Sequence, residues 1–279
     1  MSQPLKRYIV ALTFALVPTA PVIGQQLNTF TSIDVPGATF TAAQGITPHG
    51  DIVGEYISAG VTHGFLLSGS EFVTIDVPGA SLTFPRGINP RGDIVGRYDS
   101  AGVTHGFLLS QGEFVTIDVP GASSTFAREI NPRGDIVGQY ISAGVTHGFL
   151  LSGGAFAAID VPNASATTAF GINARGDIVG MYVSAGVTHG FLFSFGEFTS
   201  IDIPGASLTF AGGINARGDI VGRYISSGVS HGFLLSQGTF TTIDFPGASF
   251  TSGIEINPGG DIVGLYTTAG VTHGFLLSH

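Results

Sequence analysis

The stretch NTFTSIDVPGA, residues 28–38, reads as the end of a unit rather than the start of one. Phe30, Ile33 and Asp34 stand in the register of Phe72, Ile75 and Asp76, 42 residues further on, where EFVTIDVPGA closes a longer block. At the other end the chain stops on THGFLLSH, residues 272–279, text that everywhere else is followed by the very segment found at residue 28. A linear stack of repeats gains nothing from such a permuted cut. A ring does, because the N-terminal strand then completes the last sheet and leaves no open edge at the seam.

Between these ends the text repeats. His63, His105, His147, His189, His231 and His273 are spaced by 42 residues each time, and so are Asp51, Asp93, Asp135, Asp177, Asp219 and Asp261. One unit, QGITPHGDIVGEYISAGVTHGFLLSGSEFVTIDVPGASLTF from residue 44 to 84, holds four β-prone runs: QGIT, DIVGEYI, VTHGFLL and EFVTIDV. The turns PHG, SAG and SGS separate them. Four strands in a unit of this length, repeated radially, are the arithmetic of a propeller blade. The expected fold is therefore all-β: a six-bladed β-propeller over residues 25–279, with residues 29–35 beside 272–278 in the last blade. A β-solenoid is the runner-up.

The first residues differ in kind. Lys6 and Arg7 precede a short apolar run from Tyr8 to Val17, followed by a Pro/Ala/Gly-containing exit, which reads as a signal peptide over residues 1–24, cut after Gly24. The run is too short to span a bilayer. Losing Lys6 and Arg7 takes the formal charge from −9 to −11, and an acidic chain without basic stripes is a poor partner for nucleic acid or anionic membrane. The 279 residues contain no cysteine, which excludes disulfides and thiol catalysis and leaves stability to a sizeable core.

The recurring text GIN-x-x-GDIVG-x-Y, followed by THGFL, resembles the HAF-type extracellular repeat of bacterial secreted proteins, with His-Gly-Phe where that family has His-Ala-Phe. The resemblance covers residues 28–279 and implies export, to the exterior or the periplasm, and a propeller-like β-fold; it implies no defined activity. The copies depart from it at Thr47, in place of Asn, and at Glu129 and Glu255, in place of Gly.

Residues identical in every copy are expected to serve the blade. The six histidines, on third strands, are too far from a common axis to share a metal ion, so each is expected to bond inside its own blade, to the turn Asp. The Asp of IDVPGA (34, 76, 118, 160, 202, 244) is expected to accept backbone N–H groups. Arg91-Gly92-Asp93, repeated from Arg133, Arg175 and Arg217, spells a cell-adhesion tripeptide. The first copy has His49 and the last Gly259 in place of the Arg, whereas Gly and Asp are kept, so the triplet reads as hairpin chemistry with an exposed, replaceable Arg.

A ligand site should lie where the repeats disagree. The sharpest disagreement is two residues before the Ile of strand one: Gln44, Arg86, Arg128, Phe170, Gly212 and Ile254. This position is expected in the loop from an outer strand to the next inner one, ringing the channel mouth, with Glu129 and Glu255 beside it. Arg86 and Arg128 in adjacent blades suit bidentate capture of a carboxylate or sulfate. Near-identical repeats offer few unique groups for catalysis, and no HExxH, calcium-loop or phosphate-loop motif is present. The expected function is a secreted, monomeric binding or scaffold module for an extracellular carbohydrate or protein, without cofactor or metal. The alternatives are a propeller hydrolase or lyase acting on polysaccharide or a small molecule, and a self-associating envelope protein.

Overall fold

The computed structural model describes residues 29–278; the expected signal peptide lies outside them. Within those residues every regular element is a strand. In the first unit the strands are Phe40–Ile46, Ile52–Ser58, Val61–Ser68 and Glu71–Ile75, paired antiparallel in that order. The next three units, to Ile201, give the same four-stranded sheet. The remaining eight strands form one sheet, in which two such groups are joined by a single parallel pair, Ser230 with Phe250. Thr29–Ile33 pairs antiparallel with Val271–Ser278, from Thr29 opposite Ser278 to Ile33 opposite Gly274.

Local chemistry explains the hairpins. At the second turn Ala59 and Gly60 have φ of 49° and 80°, the two left-handed residues that a two-residue turn needs to match strand twist. At the first turn Gly92 has φ of 83° and its N–H donates to the Asn89 carbonyl at 3.0 Å. There a Cβ would cost about 1 kcal/mol or more.

Both faces of each sheet are covered. Phe65 and Val53 are fully buried, as are their counterparts. Val53 of the first unit packs with Ile75, Val77, Ile88, Ile94 and Phe107, so the core lies between neighbouring sheets. Val263, near the C-terminus, packs in the same way with Ile33, Ile46, Ile52 and Phe65. Each such Phe contributes about 1.5–3 kcal/mol through burial.

Two expectations about repeated residues change. Each histidine does bond an aspartate, but not the turn Asp: His63 Nδ1 lies 2.9 Å from Asp76 Oδ2, and the imidazole stacks on Tyr56 at 5.3 Å. The IDVPGA Asp is thus the histidine's partner, and in one copy it also accepts a backbone N–H as expected, from Gly148 to Asp160 Oδ1 at 3.3 Å. The reason is register, since Tyr56 stands opposite His63 and fixes the ring toward the end of the fourth strand. The turn Asp serves a different network, with Asp93 accepting from Ser110 Oγ at 2.6 Å and Asn89 Nδ2 at 2.8 Å. Burial opposes ionisation of Asp93, yet these bonds and Arg91 outweigh it and hold the carboxyl below its ordinary range.

The adhesion-like arginine is exposed but engaged. Arg91 Nε donates to Asp93 Oδ2 at 3.0 Å and its Nη1 to the Pro132 carbonyl of the next unit at 2.6 Å. Arg175 and Arg217 repeat this with the carbonyls of Ala216 and Pro258. The guanidinium and carboxylate of the triplet are tied to each other.

Candidate functional site

In all six units strand one slips register against strand two at the same place, between Ala43 and Gly45, Pro85 and Gly87, Ala127 and Glu129, Ala169 and Gly171, Ala211 and Gly213, and Gly253 and Glu255. The residue skipped in each ladder is Gln44, Arg86, Arg128, Phe170, Gly212 or Ile254. The position singled out by disagreement is therefore a β-bulge, the device that frees one residue from pairing and re-aims its side chain. All six line one cavity of about 360 Å³. They do not lie in a connecting loop, as expected from sequence, because strand one begins four residues earlier, at Phe40 rather than Gln44 in the first copy.

The cavity wall is charged on one side. Arg86 Nη1 lies 3.2 Å from Glu55 Oε2, Gln44 Nε2 donates to Glu55 Oε1 at 3.3 Å, and Arg128 Nη2 donates to Gln139 Oε1 at 3.2 Å. Arg97 stands over the Phe84 ring at 3.8 Å, with Asp99 at 3.8 Å from its Nη1. Burial together with Arg86 and Arg97 lowers the Arg128 pKa to about 9. Burial likewise raises the Glu55 pKa, against the pull of the arginines. Among the described residues the Nε atoms of Arg86 and Arg128 are buried without a hydrogen-bond partner. Buried donors left without a partner are costly.

Deeper in the cavity stand Glu129 and Glu255, the two departures from Gly at their position. Burial and the neighbouring Glu255 carboxyl raise the Glu129 pKa well above normal. Burial pushes Glu255 up to about 7. Each also accepts from the backbone N–H that follows it, Ile130 or Ile256, at 2.9 Å. Room for them comes from glycine: a Cβ on Gly87 would meet Glu129 Oε1 at 2.6 Å, and one on Gly213 would meet Glu255 Cδ at 2.7 Å. The pair also borders a smaller cavity of about 90 Å³ on the far side, lined by the first-turn residues. Both carboxyls thus hold their protons to higher pH than an exposed glutamate does.

Several site residues were missed by reading strand one alone. Glu55, Arg97, Gln139 and Arg223, on second strands, stand opposite Ala42, Phe84, Phe126 and Phe210 in the ladders. The signal existed: the residue x of IVG-x-Y is Glu, Arg, Gln, Met, Arg and Leu in turn, while its neighbours stay fixed.

No family profile matches the sequence. No curated protein matches it either. Among solved structures, a streptogramin B lyase is similar over 90% of this chain and 98% of its own, with 13% identity and a TM-score of 0.53. A protein described as a putative gluconolactonase is similar over 91% and 93%, with 14% identity and a TM-score of 0.55. The β-propeller domain of the Trilobed protease from Pyrococcus furiosus, of open velcro topology, is similar over 86% and 94%, with 10% identity and a TM-score of 0.54. At such identities the likeness concerns the fold, and together with the antiparallel four-stranded sheets it shows that this chain is an all-β, propeller-like protein.

Proposed function

We propose that the chain is a secreted bacterial propeller of six blades with HAF-type repeats, and that its cavity is the active site of a lyase or hydrolase acting on an acidic sugar. The eight-stranded sheet is two blades bridged by one pair, and Thr29–Ile33 is the outer strand of the last blade. Packing of Phe40–Ile46 against the three last strands supports ring closure.

One observation carries the enzymatic reading over a plain binding module: the same cavity gathers arginines whose Nε atoms lack a partner and two buried glutamates whose carboxyls are both raised. The scarcity of unique groups, which argues against catalysis from sequence, does not hold here, because the unique groups converge. An arginine beside a sugar carboxylate would acidify the adjacent C–H. The ionised member of the pair would take that proton and the protonated member would deliver one to the leaving oxygen. Removal of one proton and delivery of another across one bond is elimination, the reaction of a lyase. The lyase and the gluconolactonase-like protein among the structural neighbours fit this class.

The test is to incubate the mature protein with acidic oligosaccharides and follow the absorbance of an unsaturated uronate. Glu255→Gln should lower the rate by about 100-fold or more, the usual scale for a lost acid or base. Binding heats without product would leave the binding-module reading.

A further inference from the structure

The positive wall of the cavity has a counterpart that shares none of its ion pairs. Arg223 also lines the cavity, more than half buried, with its Cζ 4.3 Å from the Phe210 centroid and 5.8 Å from that of Phe250. Among the described residues no carboxylate or hydrogen-bond acceptor is recorded for it, so its charge is met only by ring faces. Aromatic faces offset part of the cost of burying a guanidinium, not all of it.

Between the two cationic regions runs an apolar strip. Arg128 Cζ is 5.3 Å from the Phe170 centroid, and Phe170 is 6.5 Å from Phe210, on which Arg223 sits. Ile254 and Leu265 border the same space. We propose that the cavity takes a dianion of disaccharide size, two linked hexuronic acids, with one carboxylate at Arg86 and Arg128, the other at Arg223, and the C–H faces of the sugar rings against Phe170 and Phe210. This rests on the acidic-ligand part of the proposed function and adds the number and placement of the acidic groups. A neutral sugar would leave both poles unmet. A single acid would leave one, and a cavity of about 360 Å³ has space for more than one sugar ring.

Calorimetric titration of the mature protein with galacturonic acid, digalacturonic acid and neutral galactobiose tests it. The diacid should bind at least about tenfold more tightly than the monoacid, the worth of one further charge-assisted bond pair, and the neutral sugar should give no heat. Arg223→Leu should abolish the diacid's advantage while leaving monoacid affinity within about twofold, which also reports that the variant is folded. Arg128→Leu should weaken both acids. Equal affinity of the wild type for the two acids, or an advantage that survives Arg223→Leu, overturns the two-pole inference and leaves the acidic-ligand reading standing. Absence of heat with either acid sinks both.

Discussion

His273 Nδ1 lies 2.8 Å from Asp34 Oδ1, a contact between residues 239 positions apart. In the other five copies the same pair is 13 residues apart and within one sheet. Thr29–Ile33 thus reproduces, between the two ends of the described residues, what the other units make locally, and Phe30 adds an edge contact to Phe275 at 5.5 Å. Deleting residues 25–36 should abolish cooperative unfolding, since it strips the last sheet's edge and opens the cluster around Ile33. A truncated chain that melts like the full mature one refutes this.

The glutamate pair should make stability fall as pH rises. Its folded-state pKa values are raised, so the folded chain holds protons that the unfolded chain has released. That contribution is full below 4.5 and is lost as pH climbs through about 7. Denaturant melts between pH 4.5 and 8 should show the decline in the wild type and a flatter profile in Glu129→Gln plus Glu255→Gln. The lowered turn aspartates act with the opposite sign and below this window.

Glycines of the first turn and of the second strand should differ in their response to alanine. At Gly92 a Cβ meets nothing within 4 Å, so Gly92→Ala should cost about 1 kcal/mol for the positive φ alone. At Gly96 a Cβ would sit 2.2 Å from the Phe84 carbonyl oxygen and 2.8 Å from Phe107. Gly96→Ala should cost at least about 1–3 kcal/mol by overpacking. Equal midpoints in urea for the two variants contradict the assignment.

Arg91 links two units, but its side chain is 55% exposed. Arg91→Ala should therefore lower stability by no more than about 1 kcal/mol. Because its guanidinium is tied to Asp93, immobilised protein should support no integrin-dependent cell attachment above that of the Asp93→Glu variant. Attachment that a soluble adhesion peptide competes away would show the triplet to be accessible.

Much of the fold could be read from the text because 42-residue recurrence, turn glycines and alternating apolar residues agree in every copy. The start of strand one could not. FTAA and LTFP carry small residues and a proline, poor strand signals, and Pro85 is tolerated because this innermost strand has one edge without a ladder partner. The bulge residues were visible as disagreement between copies, yet their placement depended on that unread strand. That Glu129 and Glu255, three repeats apart in the sequence, line one cavity is a relationship that no local pattern encodes.

The bulge separates two kinds of information in one short strand. Because Gln44, Arg86, Arg128, Phe170, Gly212 and Ile254 are skipped by the ladder, the side chain at this address differs from copy to copy while the pairing on either side stays the same. Duplication of the unit supplies a scaffold that must stay uniform. Single substitutions at one address per copy then compose the chemistry of the cavity, so that specificity can drift while the architecture is conserved by its own symmetry.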